Sequence, residues 1–516
     1  MELRRFAALV LVLALLVVAL AGCGGGSGEK KESGTPAKSG PSGQVVVAQG
    51  VDATTMDPAM HAETPTGNIQ RNIFDPLIQR NREMKLEPGL ALSWKTLDDR
   101  TWEIVLRQGV KFHDGTPFTA KDVKFTLERI INPDQKSPRR SNLEAIEKVE
   151  IVDDYKVKIT TKAPYPILPA RLADELIVPA DYVKKVGDAE FAKKPIGTGP
   201  YKFVKWVKDD QVVLEANTEY WRGAPAIKTV IFRPIPETST RIAELQTGAV
   251  DIIVNVPPDQ VQTLESGANT RVSTAPSARV IFIGFVTNKG GPLANPKVRQ
   301  AINYAVDVDS IIKNILKGNG YRVASPLTTA HFGYDPTVKP YPYDPAKAKA
   351  LLKEAGYPDG LELTMDSPNG RYLMDKEIAE AVVGQLAQVG IKVKLNVLEW
   401  GVYVKKIMAK ELTGMYLLGW GNTTFDADGT LYPLLRSGQR FSYYENPKLD
   451  KLLDEARSII DEKKRLADYQ EAVKIINQDA AWLFLHQQRD IYGVSKRLDW
   501  EARPDELLWM YEAKLK

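Results

Sequence analysis

The fold class this sequence predicts is an α/β or α+β body of several domains with mixed sheets, and three observations lead to it. About 470 residues follow a low-complexity stretch near the N-terminus, too many for one simple hydrophobic core, so two or three domains are expected. Leu361 to Met365 reads as a strand, Asp375 to Val389 as an amphipathic helix ending at Gly390, and Ile391, Val393, Leu395 and Val397 alternate as a second strand. Strand, helix and strand in that order make a right-handed parallel crossover. Lys148 to Val152 and Tyr155 to Thr161 read instead as an antiparallel hairpin turning at Asp153-Asp154. One chain holding both kinds of pairing fits no all-α or all-β class.

The remaining elements follow in order. Val45-Val46-Val47 opens a buried strand, with the folded part expected from Gln44. Thr101 to Arg107 alternates like a half-buried strand, and His113-Asp114-Gly115-Thr116-Pro117 is a turn cluster. Thr119 caps a helix carrying Val123, Phe125, Leu127 and Ile130. Gly197-Thr198-Gly199-Pro200 leads into a strand at Tyr201, and Gln211 to Asn217 is another. Thr238 to Thr247 is a helix stopped by Gly248, followed by a short strand from Asp251 to Val254. Asn295-Pro296 and Asp344-Pro345 each start a helix with proline in its first turn. Helices are expected at Lys448–Ile460 and Glu462–Gln478, and a strand from Trp482 to Val494. The charged run Asp461-Glu462-Lys463-Lys464-Arg465 reads as a solvated helix face. No repeat of fixed period is visible.

Cys23 is the only cysteine. Arg4 and Arg5 precede an apolar stretch from Phe6 to Leu20, and Leu20-Ala21-Gly22-Cys23 closes it. This arrangement is a secretory signal, and it resembles a bacterial lipoprotein signal whose cysteine is lipidated. Residues 1–23 are expected to be that signal. Residues 24–43, mostly Gly, Ser, Lys, Glu and Pro, form a disordered tether that cannot bury enough apolar surface to order itself. No later stretch approaches the ~18 apolar residues of a membrane span. The expected location is therefore extracytoplasmic, lipid-anchored to the cell membrane.

Composition excludes several functions. With 69 basic and 65 acidic residues, the chain has no field for nucleic acid. With no cysteine beyond Cys23, neither disulfides nor thiolate metal sites hold the body together. His61, His113, His331 and His486 lie far apart and form no metal-spaced pair, so no metal site and no cofactor is expected. Neither a GxSxG elbow nor a Walker-type phosphate loop occurs, and no catalytic residues are assigned.

The run from Trp102 to Phe118, which includes Gly109-Val110-Lys111-Phe112-His113-Asp114-Gly115-Thr116-Pro117, resembles the signature of extracellular solute-binding proteins of the peptide/nickel class, family 5, the binding components of ABC importers. The resemblance continues in order through Gly197-Thr198-Gly199-Pro200-Tyr201, Glu215-Ala216-Asn217, Tyr220-Trp221, Leu245-Gln246-Thr247-Gly248, Val298-Arg299-Gln300-Ala301-Ile302, Leu351 to Tyr357 and Gly419-Trp420. It implies a two-lobed, periplasmic-binding-protein-like flytrap with an additional domain. Residues 44–80, 195–290 and 485–516 would form domain I, 81–194 domain II and 291–484 domain III. It further implies a monomer that closes on a peptide or other small solute and delivers it to a membrane permease driven by separate ATPase subunits, without being an enzyme.

In the family's peptide binders a strand ending in Gly-Trp lines the cleft; here it is Met415 to Trp420, leading into Gly421, Asn422 and Thr423. The expected aspartate for a peptide ammonium, three residues after the Trp, is replaced by Thr423, and the acids come later, at Asp426 and Asp428. The place of the arginine for a ligand carboxylate falls at Asn369, with Arg371 two residues on. Either Asp426 and Arg371 rebuild the charge clamp, or the ligand is not a simple zwitterionic peptide. Thr54, Thr55 and Met56, and Trp400 and Tyr403 after the crossover, are further ligand candidates. The same scaffold could instead take a metal chelate, a sugar oligomer or a glutathione-like ligand. An extracellular hydrolase or a peptide chaperone is the distant alternative.

Overall fold

The computed structural model describes residues 40–516. The expected signal with its lipidation at Cys23, and the expected tether up to residue 39, lie outside the described residues. The first strand is Ser42–Gln49 and starts ahead of the expected Gln44, because the Ser42 N–H donates to the Ala226 carbonyl (2.9 Å) and extends the pairing with Ile227–Pro234. No helix among the described residues is long and apolar enough to cross a membrane.

A mixed sheet of 11 strands runs through the molecule. From one edge its order is Ile391–Leu398, Leu361–Pro368, Met415–Gly421, Thr270–Phe285, Trp482–Ser495, Ile252–Ile253, Ser42–Gln49, Ile227–Pro234, Gln211–Ala216 and Tyr201–Val207. The short strand Gly320–Arg322 pairs onto Trp482–Ser495 outside that order. The crossover is parallel: Leu361 to Pro368 lies in register with Ile391 to Leu398. A separate antiparallel sheet of 4 strands, Ala91–Thr96, Thr101–Leu106, Lys156–Thr161 and Ile146–Asp153, contains the predicted hairpin. Its covering helix, Ala120–Ile131, starts where expected, with the Thr119 N–H donating to the Asp122 carboxylate (2.9 Å).

Three apolar cores result. One gathers Val45, Phe74, Tyr201, Phe232 and Trp500, so that early, middle and C-terminal segments pack together. A second fills the four-stranded module with Phe112, Phe118, Leu127 and Ile159. The third and largest centres on the crossover and the long strands. There Phe282 stacks on Trp482 with ring centroids 3.6 Å apart, and Leu386 and Tyr416 pack alongside.

Thr270–Phe285 and Trp482–Ser495, of 16 and 14 residues, join the two lobes. They pair antiparallel from Thr270 onwards, and the register shifts between Pro276 and Val280. Such a bulge bends and re-aims a strand. Before it, Tyr492 and Val494 reach the first core while Val272 and Ile491 pack in the third; after it, Arg279 to Phe285 pairs with Met415–Gly421 in the third.

Candidate ligand-binding cleft

A cavity of about 430 Å³ opens between the lobes, within the range of small-ligand sites. One wall is built from Asp52 to Thr55 and Met60 to Thr64; the other from Arg371, Tyr372, the helix Trp400–Met408 and the strand end Leu418 to Gly421, with Arg279 among the lining residues. The helix is fixed at its start by Glu399, whose carboxylate accepts from the N–H groups of Gly401 (2.7 Å) and Val402 (3.0 Å).

Two arginines meet at the base of this cleft, and they differ in one respect. Arg279 donates to Glu506 (Nε to Oε1 2.5 Å, Nη2 to Oε2 2.7 Å), to the Gly419 carbonyl (2.7 Å) and to Thr64 Oγ1 (2.8 Å). Burial would push the Glu506 carboxyl up, but the Arg279 charge outweighs it and holds it low. Asp490 behind it moves the other way, raised by burial and then by the Glu506 charge. Arg371 is only 7 % exposed, and its Nε has no hydrogen-bond partner among the described residues. The guanidinium lies over the rings of Tyr372 (4.6 Å) and Trp400 (5.3 Å). Burial, and then the Arg279 charge, lower its pKa. A buried cation without an anion is unfavourable unless a ligand supplies one.

The loop that presents Arg371 is held by Asp375. Its carboxylate accepts from the backbone N–H groups of Gly370 (3.0 Å), Arg371 (2.9 Å), Tyr372 (2.9 Å) and Lys376 (2.9 Å). Burial pushes this carboxyl up to about 6 against those four donors. Gly50 backs the loop from the other lobe, where a Cβ would stand 2.0 Å from the Gly370 carbonyl oxygen. Asp375→Asn points amide hydrogens at backbone donors, and the loop loosens. Ligand affinity is expected to fall about fivefold for a loss of ~1 kcal/mol, read by calorimetry at pH 7.5.

The Gly-Trp strand end borders the cavity. Trp420 lines the cleft, donates its Nε1–H to the Gly429 carbonyl (2.9 Å) and packs edge-on against Phe441 at 5.4 Å. Gly421, Thr55, Trp400 and Arg371 share this cavity. Asn422 and Thr423 border a smaller adjoining space of about 160 Å³, and Thr423 Oγ1 donates to Asp174 across the lobes (2.8 Å). The His331 ring accepts from the Thr328 N–H at Nδ1 (3.2 Å), stands 3.3 Å from the Asn422 carbonyl at Nε2 and stacks on Phe425, which steadies the loop.

Four candidates lie elsewhere. Met56 is fully buried in the first core, and Tyr403 is fully buried with its hydroxyl on the Leu417 carbonyl (2.6 Å). Asn369 is exposed and does not line the cleft. Asp426 is clasped by Arg465 through two bonds of 2.7 Å, so it is no free partner for a ligand ammonium, and Arg465 is buried rather than solvated. Sequence reasoning missed Arg279 and Glu506, which carried no motif.

A cleft between two lobes, with a buried arginine on its wall that makes no salt bridge, fits a solute-binding protein. The profile of the bacterial extracellular solute-binding proteins, family 5 (middle region), matches residues 85–442, and the chain belongs to that family. It is 35% identical over 490 residues to the glutathione-binding protein GsiB of Pectobacterium atrosepticum, covering 91% of this chain and 94% of that one. Among solved structures it is similar to the ABC transporter-associated periplasmic binding protein DppA of Helicobacter pylori in complex with the peptide STSA (TM-score 0.86, 30% identity, 92% of this chain and 98% of that one). It is also similar to the oligopeptide-binding protein AppA of Bacillus subtilis in complex with a nonapeptide (TM-score 0.87, 28% identity, 92% and 99%).

Proposed function

We propose that this protein is the binding component of an ABC importer, capturing a peptide or similar small polar solute outside the cytoplasm and delivering it to a membrane permease. The observation that carries the reading is Arg371, a buried guanidinium facing the cleft against aromatic rings, which makes no salt bridge while the nearby Glu506 is taken by Arg279. It takes the carboxylate of the ligand, while Trp420, Gly421, Trp400 and Thr55 form the walls, and Asn422 and Thr423 border the adjoining space. The relatives named for peptide and glutathione binding support a ligand of this chemistry. Glutathione is the second reading, favoured by the 35% identity to GsiB.

The remaining parts of the reading are a lipid anchor at Cys23, a monomeric body without catalytic activity, and the division into domains I, II and III given above. The core that gathers early, middle and C-terminal segments supports a discontinuous domain I, while the largest core runs across the boundary between domains I and III through Val46, Ile242 and Leu245. The experiment is mass spectrometry of small molecules released on denaturing the full chain purified in mild detergent, followed by calorimetry with the compound found. A peptide or other carboxylate bound one to one, without turnover, is the expected result. A released solute lacking any acid group, or conversion of the ligand, overturns the reading.

A further inference from the structure

The base of the cleft holds one more buried acid than its salt bridges use. Where Thr270–Phe285 and Trp482–Ser495 fall out of register, Ser277, Ala278 and Arg279 stand opposite Gln488 alone. The bulge brings Ser277 Oγ and Arg279 Nε onto one carboxylate, Glu506, which accepts from them at 2.8 Å and 2.5 Å. Glu506 itself sits in the left-handed backbone region (φ 59°), which residues other than glycine seldom adopt. The second acid is Asp490, two residues beyond Gln488 on the same strand and 4 % exposed. Its Oδ1 accepts from Gln488 Nε2 (2.5 Å), but its Oδ2 has no partner among the described residues.

A small enclosed cavity joins this acid to Arg371. Its volume is about 30 Å³, room for ordered water, and Asp490, Gln488, Glu506 and Arg371 all line it. Three buried polar atoms of these residues lack partners: Arg371 Nε, Asp490 Oδ2 and Gln488 Oε1. The one donor among them belongs to a cation, and one of the two acceptors to an acid. Two arginines and two acids therefore share one desolvated spot. Tyr492 on the same strand and Asp505 beside Glu506 are the other titratable groups near Asp490, while Tyr372 and Asp375 flank Arg371 on its own loop. With both acids ionised, the spot is neutral and Arg371 has a counter-ion inside the protein. With a proton on Asp490, one positive charge is left over, and a ligand carboxylate matches it. Burial, and then the Glu506 charge, favour the protonated form.

Building on the carboxylate-capture reading, we infer that Asp490 sets the charge of the anion site: protonated, it leaves Arg371 to the ligand carboxylate; ionised, it becomes the internal counter-ion of Arg371 and competes with the ligand. Capture is thereby linked to one proton. Affinity is complete below the pH at which Asp490 ionises in the empty protein. Above that pH it falls by up to about tenfold per unit, and binding takes up as much as one proton per solute.

The test is calorimetry of the full chain in mild detergent with glutathione and the peptide Ser-Thr-Ser-Ala, between about pH 5.5 and about 9, in pairs of buffers that differ in ionisation heat. The wild type is expected to bind more weakly as pH rises, with proton uptake that depends on the buffer. Asp490→Asn keeps the shape and stays neutral. It should match the wild type at the acidic end, bind severalfold tighter at the alkaline end and take up no proton there. The ratio of the two affinities cancels the titration of each probe's own groups. A ratio that stays at one throughout overturns the inference and leaves carboxylate capture standing. An Asn variant weaker at every pH does the same and makes Asp490 a structural residue. Failure of both probes to bind the wild type, or binding indifferent to Arg371→Gln, overturns the underlying reading and this inference with it.

Discussion

Arg371→Met is expected to abolish ligand capture while making the empty protein more stable. Truncating one partner of a desolvated charge pair costs about 2–5 kcal/mol of binding, which is roughly 30-fold to several thousand-fold in Kd. The gain in stability comes from the same burial. Desolvating an ion costs several kcal/mol, whereas the rings of Tyr372 and Trp400 return only about 0.5–2 kcal/mol. Because one side of the guanidinium faces the cleft, the net gain is put at about 1 kcal/mol. Calorimetry with the wild-type ligand and urea unfolding without it check the two halves. A variant that loses affinity and also loses stability in the empty state would show Arg371 to be structural. Arg279→Met should behave differently: it strands Glu506 and breaks contacts to Gly419 and Thr64, so it weakens the fold as well as binding.

Most of the fold was legible because its elements obey local rules. The crossover, the hairpin, the helices begun by Asn295-Pro296 and Asp344-Pro345 and the Gly248 stop all stand where periodicity and capping put them. The long strand Thr270–Phe285 escaped notice because Pro276-Ser277-Ala278 interrupts it and reads as a turn; only its pairing with Trp482–Ser495 keeps it extended. Arg279, which follows that interruption, was hidden with it. The cavity wall was legible where an apolar run stops at Gly-Trp, whereas the family resemblance put its arginine at Asn369 and the cavity is lined by Arg371, two residues on. Met56 and Tyr403 misled because a neighbour in sequence is not a neighbour in phase. Trp400, Tyr403 and Ile407 form the buried stripe of their helix, and Val402 faces out. Asp426 misled because its partner Arg465 sits in a charged run that looks solvated, and only tertiary packing turns it inward.

Asp428→Ala is expected to loosen the contact between the helix Asp428–Leu435 and the four-stranded module. This residue begins the helix Asp428–Leu435 and is 1 % exposed. Its Oδ2 accepts from Arg171 Nη2 (2.6 Å) and from the hydroxyl of Tyr165 (3.1 Å), a residue of the four-stranded module's core, while Arg457 Nε stands 3.0 Å from Oδ1. Burial alone would push this carboxyl up; the charges of Arg457 and Arg171 outweigh it and hold it at about 2. Its pKa in the fold is below the ordinary 3.8, so its contribution is fully present above that value and is lost as pH falls through about 2. Between pH 5 and 8 the contact is therefore insensitive to pH. Removing the carboxylate leaves Arg171 buried without an anion and Arg457 with only its contact to Glu144 (3.4 Å), a penalty of about 3–5 kcal/mol. Separating the module from the helix lets both guanidinium groups reach water, so the penalty falls on the closed arrangement. X-ray scattering of the Asp428→Ala protein should show a larger radius of gyration, and ligand affinity should drop even though no cleft residue has changed. An unchanged radius with unchanged affinity would mean that the lobes stay together without this contact. Asp428→Asn separates charge from shape: it keeps one acceptor for Arg171 and should fall between the wild type and the alanine variant.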